Sequence, residues 1–512
     1  MNYDKITIFD TTLRDGLQGV PKNISNKSRL KIAKAITGLG VDVIEAGFPA
    51  SNTDMYRSVN EIAKEFGTKE GPAICGLARV IPNDIVQAAK AIEPAYNQRI
   101  HSFIGTSPLH RDYKLKKSKD QILELTNNAV ERAKRYVDDV QFSLEDFGRT
   151  EPEFAFEVVK TAYSAGARTI NLPETVGSTR PKNYGKMISY IRKRAKEEGL
   201  EPVLSVHCHN DRGLATEMTL AGLEAGARQA EVTINQLGER AGNSALEEVI
   251  ANLMMGDVID EVTGGRLYSD IKSANIGEAS KTIQEVTGIA IGHNKPIVGT
   301  NPFHHSSGIH QDGFYKNRET YEIFRPEDFG METIIRHNKQ SGRNAIKKRY
   351  EELGVVISDK DFQKAAENYF AIDNENPDDA DLIRAMYDRE EIPKKYILYS
   401  IHPVYSEKGV GAVVKIGNQD KIITTYAEGN GPIDAAVTAI KKEIEPRLTM
   451  DSFSLRAEGP GSGAVGYSYC LLKQNGWSIT GTYEHTDSIR SAVEAFIKGC
   501  NRLEYIKSRL KK

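Results

Sequence analysis

Cysteine is scarce in this chain, and what there is does not cluster. Four cysteines in 512 residues (Cys75, Cys208, Cys470 and Cys500) lie far apart, with no CxxC spacing. That excludes a disulfide framework and a zinc knuckle, and it predicts reduced thiols in a cytoplasmic protein. Long apolar runs are missing too. No segment is long enough to span a membrane, and the opening MNYDKITIFD has no apolar signal core. Net charge is nearly absent: 68 Lys and Arg stand against 70 Asp and Glu, a formal charge of -2. This balance argues against nucleic-acid or anionic-lipid partners. No Gly-rich phosphate turn follows the first predicted strand, which argues against an open dinucleotide-binding sheet.

What is present is rhythm. Short β-branched runs stand at KITIFD (5–10), VDVIEAG (41–47), AICGLA (73–78), RIHSFIG (99–105), DVQFSL (139–144), RTINLP (168–173), VLSVHCH (203–209) and AEVTIN (230–235). Amphipathic stretches such as SKDQILELTNNAVERAKRYV (118–137) separate them. Eight strand–helix units in sequence predict an α/β protein with a closed (β/α)8 TIM barrel. The length exceeds one ordinary core, which predicts two or three domains. Pattern divides the chain into a barrel (1–265), a polar helical linker (266–390) and an α+β domain (391–512). Within the linker, AIDNENPDDADL (371–382) reads as a connecting segment or helix start. The last domain is internally repeated: AVVKIGNQDKIITTYAEGNGPIDAAVTAIKKEI (412–444) is echoed by YCLLKQNGWSITGTYEHTDSIRSAVEAFIKGC (469–500). Each copy reads strand, polar turn, strand, turn, helix. It holds no cluster of catalytic residue types, which predicts binding or assembly.

In such a barrel the C-terminal strand ends meet at one mouth. Polar residues stand at or near these ends: Arg14 and Asp15, Glu45, His101, Glu145, Thr175, His207 and His209, and Asn243. In HCHND (207–211), strand alternation puts His207 and His209 on one face and Cys208 on the other. Two imidazoles facing a carboxylate suit a divalent metal, with Asp15 as the carboxylate and Cys208 as apolar filler. Arg14 beside Asp15 is then placed to stabilise an oxyanion, and Gly16 permits the sharp turn. Asp146 reads as a cap of the following helix. A third cluster, His304, His305 and His310, lies outside the barrel pattern, and His310 is its best functional candidate.

The ordered motifs FDTTLRDG, VIEAGFP, ICGLAR, FSLED, NLPETVG, HCHND, GERAGN and SGIHQDG resemble the 2-isopropylmalate synthase family, over essentially the whole chain. The resemblance implies condensation of acetyl-CoA with 3-methyl-2-oxobutanoate, then thioester hydrolysis to 2-isopropylmalate and CoA, the committed step of leucine biosynthesis. It implies one divalent metal (Mn, Zn or Mg) on Asp15, His207, His209 and Asn243. It further implies catalytic roles for Arg14, Glu45 (orienting Arg14), Glu145, and the His310–Tyr321 pair, which in the family comes from the partner chain of a homodimer. His101, Ser143 and Thr175 fall to substrate binding. The tail resembles a leucine-sensing domain, and GNGPIDA (429–435) matches its recurrent turn, so Gly429, Gly431 and Ala435 become effector-site residues. Two positions depart from the family pattern: Leu17 stands in DGLQ, and Ser306 in HSSGIHQDG, where the family tends to carry Glu. Sister synthases for citramalate or homocitrate, and a non-catalytic amino-acid sensor, are the alternatives. A lyase of the 3-hydroxy-3-methylglutaryl-CoA type ranks lower, because GERAGNSA lacks its cysteine.

Overall fold

The computed structural model describes residues 3–335, 342–374, 377–407, 409–418, 421–459 and 461–510. They form two compact units: Met1–Phe303 with Phe324–Thr333, and His304–Ile323 with Ile334–Lys512.

In the first unit a short strand β1 (Tyr3–Lys5) precedes β2 (Thr7–Asp10), β3 (Val43–Gly47), β4 (Ala73–Arg79), β5 (Gln98–Gly105), β6 (Asp139–Glu145), β7 (Thr169–Asn171), β8 (Val203–His207) and β9 (Gln229–Val232). Strands β2 to β9 close into a barrel in sequence order, and every neighbouring pair is parallel. A helix follows each: α1 (Asn26–Leu39), α2 (Thr53–Phe66), α3 (Pro82–Ile92), α4 (Lys119–Lys134), α5 (Pro152–Ala165), α6 (Pro181–Glu197), α7 (Ala215–Glu224) and α8 (Leu246–Met255). Their starts are written in the sequence. Proline opens α3, α5 and α6, where its missing N–H costs nothing. Ser118 and Gln121 form a reciprocal capping box on α4. The (β/α)8 barrel expected from the rhythm is the fold that forms.

Several strand ends differ from the sequence reading, three of them with a structural cause. The first barrel strand begins at Thr7, because Tyr3–Lys5 pairs instead with β10 (Arg266–Tyr268) outside the barrel. The seventh ends at His207, and Cys208 and His209 continue only as single bridges to Glu174 and Asn243. The eighth ends at Val232, since the chain turns at Asn235 with φ 59°. Helix α9 (Ile276–Thr287) and the 3-10 turn Pro326–Phe329 also belong to this unit. Among the described residues no helix is long and apolar enough to cross a membrane.

The second unit opens with β11 (His304–His305), α10 (Gly308–Lys316) and β12 (Ile334–Ile335), then α11 (Arg343–Glu352), α12 (Asp359–Phe370) and α13 (Asp379–Met386). The acidic stretch before α13 is a helix start: Asp378 accepts from the N–H groups of Ala380 and Asp381 at 2.8 and 3.2 Å. Asp378, Asp379 and Asp381 are buried rather than solvated, and Arg502 donates to Asp378 at 2.9 Å and to Asp381 at 2.7 Å. Glu375 and Asn376 of that stretch lie outside the described residues. The tail repeat has three strands per copy, not two: β13 (Tyr396–Ser406), β14 (Gly409–Asn418) and β15 (Lys421–Gly429) precede α14 (Pro432–Ile444). Then β16 (Thr449–Glu458), β17 (Val465–Gln474) and β18 (Trp477–His485) precede α15 (Ser488–Leu510). The added strands are edges, and β13 contains Pro403, which an edge strand tolerates and which hides the strand from pattern reading. The polar turn expected at Gln419 and Asp420 lies outside the described residues.

The two copies share one core, and Asn501 of α15 ties them at a defined point. Its side chain accepts from the Tyr396 N–H at 2.7 Å and donates to the Tyr396 carbonyl at 2.9 Å. Asn501→Ala strips both buried partners, so we expect the unfolding free energy to fall by about 1–3 kcal/mol in urea titration. An unchanged midpoint would mean that the apolar core alone joins the copies.

Candidate active site

After β2 the chain coils at once into a π-type turn, Thr12–Gly16, a wide turn of the sort that gathers at functional sites. The Thr11 hydroxyl accepts from the Asp15 N–H at 3.3 Å and donates to Glu45 Oε2 at 2.6 Å. Glu45, fully buried on β3, is the hub: Arg14 Nε donates to its Oε2 at 2.6 Å, and His101 Nδ1 meets its Oε1 at 2.6 Å. His101 Nε2 in turn lies 2.6 Å from Ser143 Oγ, which also accepts from Asn171 Nδ2 at 2.8 Å. Four strands thus hold one continuous chain of polar contacts from Arg14 to Asn171.

Arg14 also pairs with Asp15 Oδ1. The other oxygen of Asp15 accepts from Asn243 Nδ2 at 2.7 Å and lies 4.0 Å from His207 Nε2. His207 Nε2 and His209 Nε2 are 3.2 Å apart. Asp15, His207 and His209 are all buried and offer donor atoms within 4.8 Å of one another. Two imidazole nitrogens at that separation share at most one proton, so a lone pair is left over. Asn243 Oδ1 is buried without a hydrogen-bond partner among the described residues. A carboxylate, two imidazoles and an unpaired amide oxygen fit a divalent ion with open positions. A second cluster, Glu45, Cys75 and His101, is as closely gathered, but Glu45 and His101 already satisfy each other.

The charges reinforce this arrangement. Burial acts to raise the Asp15 carboxyl, but Arg14, then His207 and His209, more than offset it and hold it at about 2. Burial and the like charge of His207 lower His209 to about 3, which keeps its ring neutral and able to donate a lone pair. Glu45 is held well below the usual carboxylate range: burial opposes this, and Arg14 and His101 prevail. Burial pushes the Cys208 thiol up to about 12, as suits an inert filler.

Two loops brace the mouth. Arg240 grips Asp211 at 2.7 and 2.9 Å and donates to the Thr175 carbonyl at 2.7 Å. This clamp joins the HCHND and GERAGN loops. At Gly242, with φ +88°, a Cβ would lie 1.9 Å from the Gln236 carbonyl oxygen, so only glycine delivers Asn243 to Asp15.

The remaining expected site residues separate into groups. Thr175 is half-buried, and its hydroxyl accepts from the Asp146 N–H at 2.9 Å. Glu145 carries a two-pronged contact from Lys114 at 2.7 and 2.8 Å, with His110 at 3.5 Å. Burial works to raise its carboxyl, but those two partners lower it. Asp146 stands at the N-cap position of a short 3-10 turn, Phe147–Arg149, but its side chain makes no capping bond. It sits at φ 65° and binds Ser107 and Arg149 instead, because its left-handed backbone turns the side chain back into the barrel. His310 and Tyr321 belong to the second unit, where their rings stack at 4.2 Å between centroids. His305 is buried against Glu322 at 3.1 Å. Gly429 and Gly431 flank the turn into α14, and Ala435 is fully buried in that unit's core. Leu17 is buried in the barrel unit's apolar core. Sequence reading missed Thr11, Asn171, Lys114 and Glu231. Only Glu231 left a signal: an acid between Ala230 and Val232 in a short buried strand.

Three family models match the chain in succession. The HMGL-like family model matches residues 5–282, the homocitrate synthase post-HMGL domain-like model residues 297–376, and the LeuA allosteric (dimerisation) domain model residues 377–504. The 2-isopropylmalate synthase of Aquifex aeolicus (strain VF5) is 40% identical over 510 residues, covering 98% of this chain and 96% of its own. That of Crocosphaera subtropica is 38% identical over 515 residues, covering 98% and 95%. Among solved structures, an HMG-CoA lyase from Bacillus subtilis superposes with TM-score 0.48 at 19% identity, covering 57% of this chain and 98% of that one. On its near full-length identity to these synthases, the chain belongs to the 2-isopropylmalate synthase family.

Proposed function

We propose that this chain condenses acetyl-CoA with 3-methyl-2-oxobutanoate and hydrolyses the thioester, giving (2S)-2-isopropylmalate and CoA. The observation that carries the reading is one barrel mouth in which Glu45 anchors Arg14 beside the Asp15–His207–His209–Asn243 donor set. Those four residues would hold one divalent ion (Mn, Zn or Mg), whose chemistry when bound is Lewis-acid polarisation of the 2-oxo group. Arg14 has Nε on Glu45 and one terminal nitrogen on Asp15, so its remaining nitrogen is the donor left for the alkoxide that develops on the oxo carbon. His101 and Ser143 line the same chain of contacts and, with Thr175, would seat the oxo acid. Glu145 would face the acetyl group. The stacked His310–Tyr321 pair is our assignment for proton abstraction from the acetyl methyl or activation of the hydrolytic water.

We assign catalysis to residues 1–265, the supporting segment to 266–390, and leucine sensing with homodimerisation to 391–512. Leucine as inhibitor is supported by the allosteric domain match over residues 377–504. The test is thiol release from acetyl-CoA with 3-methyl-2-oxobutanoate, pyruvate and 2-oxoglutarate, each with and without leucine. We expect turnover with the branched oxo acid, and leucine to weaken it by a factor of roughly 5–150, the usual span of coupling between sites. Preference for pyruvate or 2-oxoglutarate would make the chain a sister synthase. No thiol release with any acid would leave a sensor.

A further inference from the structure

The interior of a (β/α)8 barrel is ordinarily filled with Val, Ile and Leu. Here part of it is filled by a hydrogen-bonded lattice that the catalytic reading leaves unused. Alternating inward positions carry it: Arg99 below His101 on β5, Gln141 below Ser143 on β6, Ser205 below His207 on β8, and Gln229 below Glu231 on β9. All are at most 8% exposed, so each polar group must find a partner inside.

The partners run in one direction. Arg99 has only donors to give. Its Nε goes to Asp139 at 2.8 Å, and its Nη1 goes to Gln229 Oε1 at 2.7 Å and Gln141 Oε1 at 3.2 Å. Both amides must therefore turn their oxygens towards Arg99 and their NH2 groups away from it. Gln141 Nε2 accordingly donates to Glu231 Oε1 at 2.5 Å, and Gln229 Nε2 donates to Ser205 Oγ at 2.9 Å. The Ser205 hydroxyl passes its own proton to the same Glu231 oxygen at 3.3 Å. That leaves Glu231 Oε2, which lies 3.1 Å from His207 Nδ1, the residue next to it in the β8–β9 register. The approach is off-line for a formed hydrogen bond, and neither atom has another partner among the described residues.

We propose that Glu231 is a positioning residue that, held by the Arg99–Gln141 relay, keeps the proton of His207 on Nδ1. The proposal rests on the metal reading of Asp15, His207, His209 and Asn243. An ionised carboxylate only accepts, so the imidazole nitrogen facing it carries the hydrogen. The opposite nitrogen, Nε2, then presents its lone pair to the side where His209 and Asp15 converge. A cation at the base of the barrel thereby sets the tautomer of a ligand at its mouth, through side chains whose orientation is forced at every step. It explains why buried amides and a buried arginine stand where apolar side chains would pack more cheaply.

The test exploits shape against hydrogen-bond polarity. Glu231→Gln is nearly isosteric, but Gln141 would hold its oxygen, so its NH2 group would face His207 Nδ1 and drive the proton onto Nε2. Glu231→Asp changes shape more yet remains acceptor-only. Zn²⁺ affinity is measured by chelator competition and the ligand field by the Co²⁺ spectrum, on the full chain. We expect Glu231→Gln to weaken Zn²⁺ by roughly 10–100-fold, the usual loss for an outer partner of a ligating histidine, with an altered Co²⁺ spectrum. Glu231→Asp should bind more tightly than Glu231→Gln. The reverse order, or wild-type affinity and spectrum in Glu231→Gln, would overturn the proposal. If Glu231→Gln does not fold, Arg99→Met makes the test from the far end: weakened Zn²⁺ supports the relay, and unchanged Zn²⁺ overturns it. Wild-type protein that binds neither ion would instead overturn the metal reading itself.

Discussion

Arg14→Ala lowers kcat by roughly 10²–10³, the typical cost of losing one donor to a developing oxyanion, while metal content stays at the wild-type level. The expectation comes from how the guanidinium is held. It is 13% exposed, anchored through Nε on a fully buried Glu45, and set in a π-type turn that fixes its direction. Its charge is locked on: burial opposes it, but Glu45 and Asp15 raise its pKa further. A cation pre-organised in this way needs no rearrangement as charge develops, so its contribution falls on the chemical step rather than on binding. The measurement is kcat and KM for the oxo acid, with metal analysis of the same preparation. A loss confined to KM would make Arg14 a ground-state binder. Loss of metal would show that its main work is holding Asp15.

Removing one of the proposed metal donors should cost more still. In His209→Ala, Asp15 and His207 remain, but the pair of Nε2 atoms that face each other at 3.2 Å is gone. Loss of a donor itself should exceed the roughly 10–100-fold in affinity that loss of an outer partner costs. We therefore expect dialysed His209→Ala to retain far less than stoichiometric metal and to release almost no thiol from acetyl-CoA, while its far-ultraviolet spectrum matches wild type. His209 bridges Asn243 through its backbone, which alanine preserves, so collapse of the mouth is not the expected cause. Unchanged metal content and turnover would remove His209, and with it the four-residue site, from the assignment.

The contrast between these two variants separates two roles at one mouth. Arg14 and His209 both lie beside Asp15, yet one should be read in kcat and the other in metal content. Glu45 anchors Arg14. Its three contacts, to Thr11, Arg14 and His101, explain why a fully buried carboxylate is tolerated at the mouth: each of its oxygens is satisfied by a strong donor.

Much of this was legible in the residues alone. Strand alternation placed His207 and His209 together, and the β–α rhythm placed Asp15 on the same rim, because local periodicity decides which face a side chain takes. Arg14's partner, by contrast, came from resemblance and not from spacing. The sequence misled at Asp146, where a helix cap was the reasonable expectation. A left-handed φ, which side-chain identity does not announce, sends that carboxylate to Ser107 and Arg149. It also undercounted the tail, where a proline in β13 disguised an edge strand.

By itself, then, the sequence determined the barrel, its strand order and the rim that Asp15, His207 and His209 share, all consequences of short-range pattern and of the closure of eight strands, while Asn243 came from resemblance. Only the tertiary structure decided how those residues are oriented. Gln141 meets Glu231 across 90 residues, Arg99 meets Gln229 across 130, and Asn243 meets Asp15 across 228. No periodicity spans such separations. Barrel closure brings these strands into register, and exclusion of water from the interior then makes every buried polar group take the one orientation its neighbours allow.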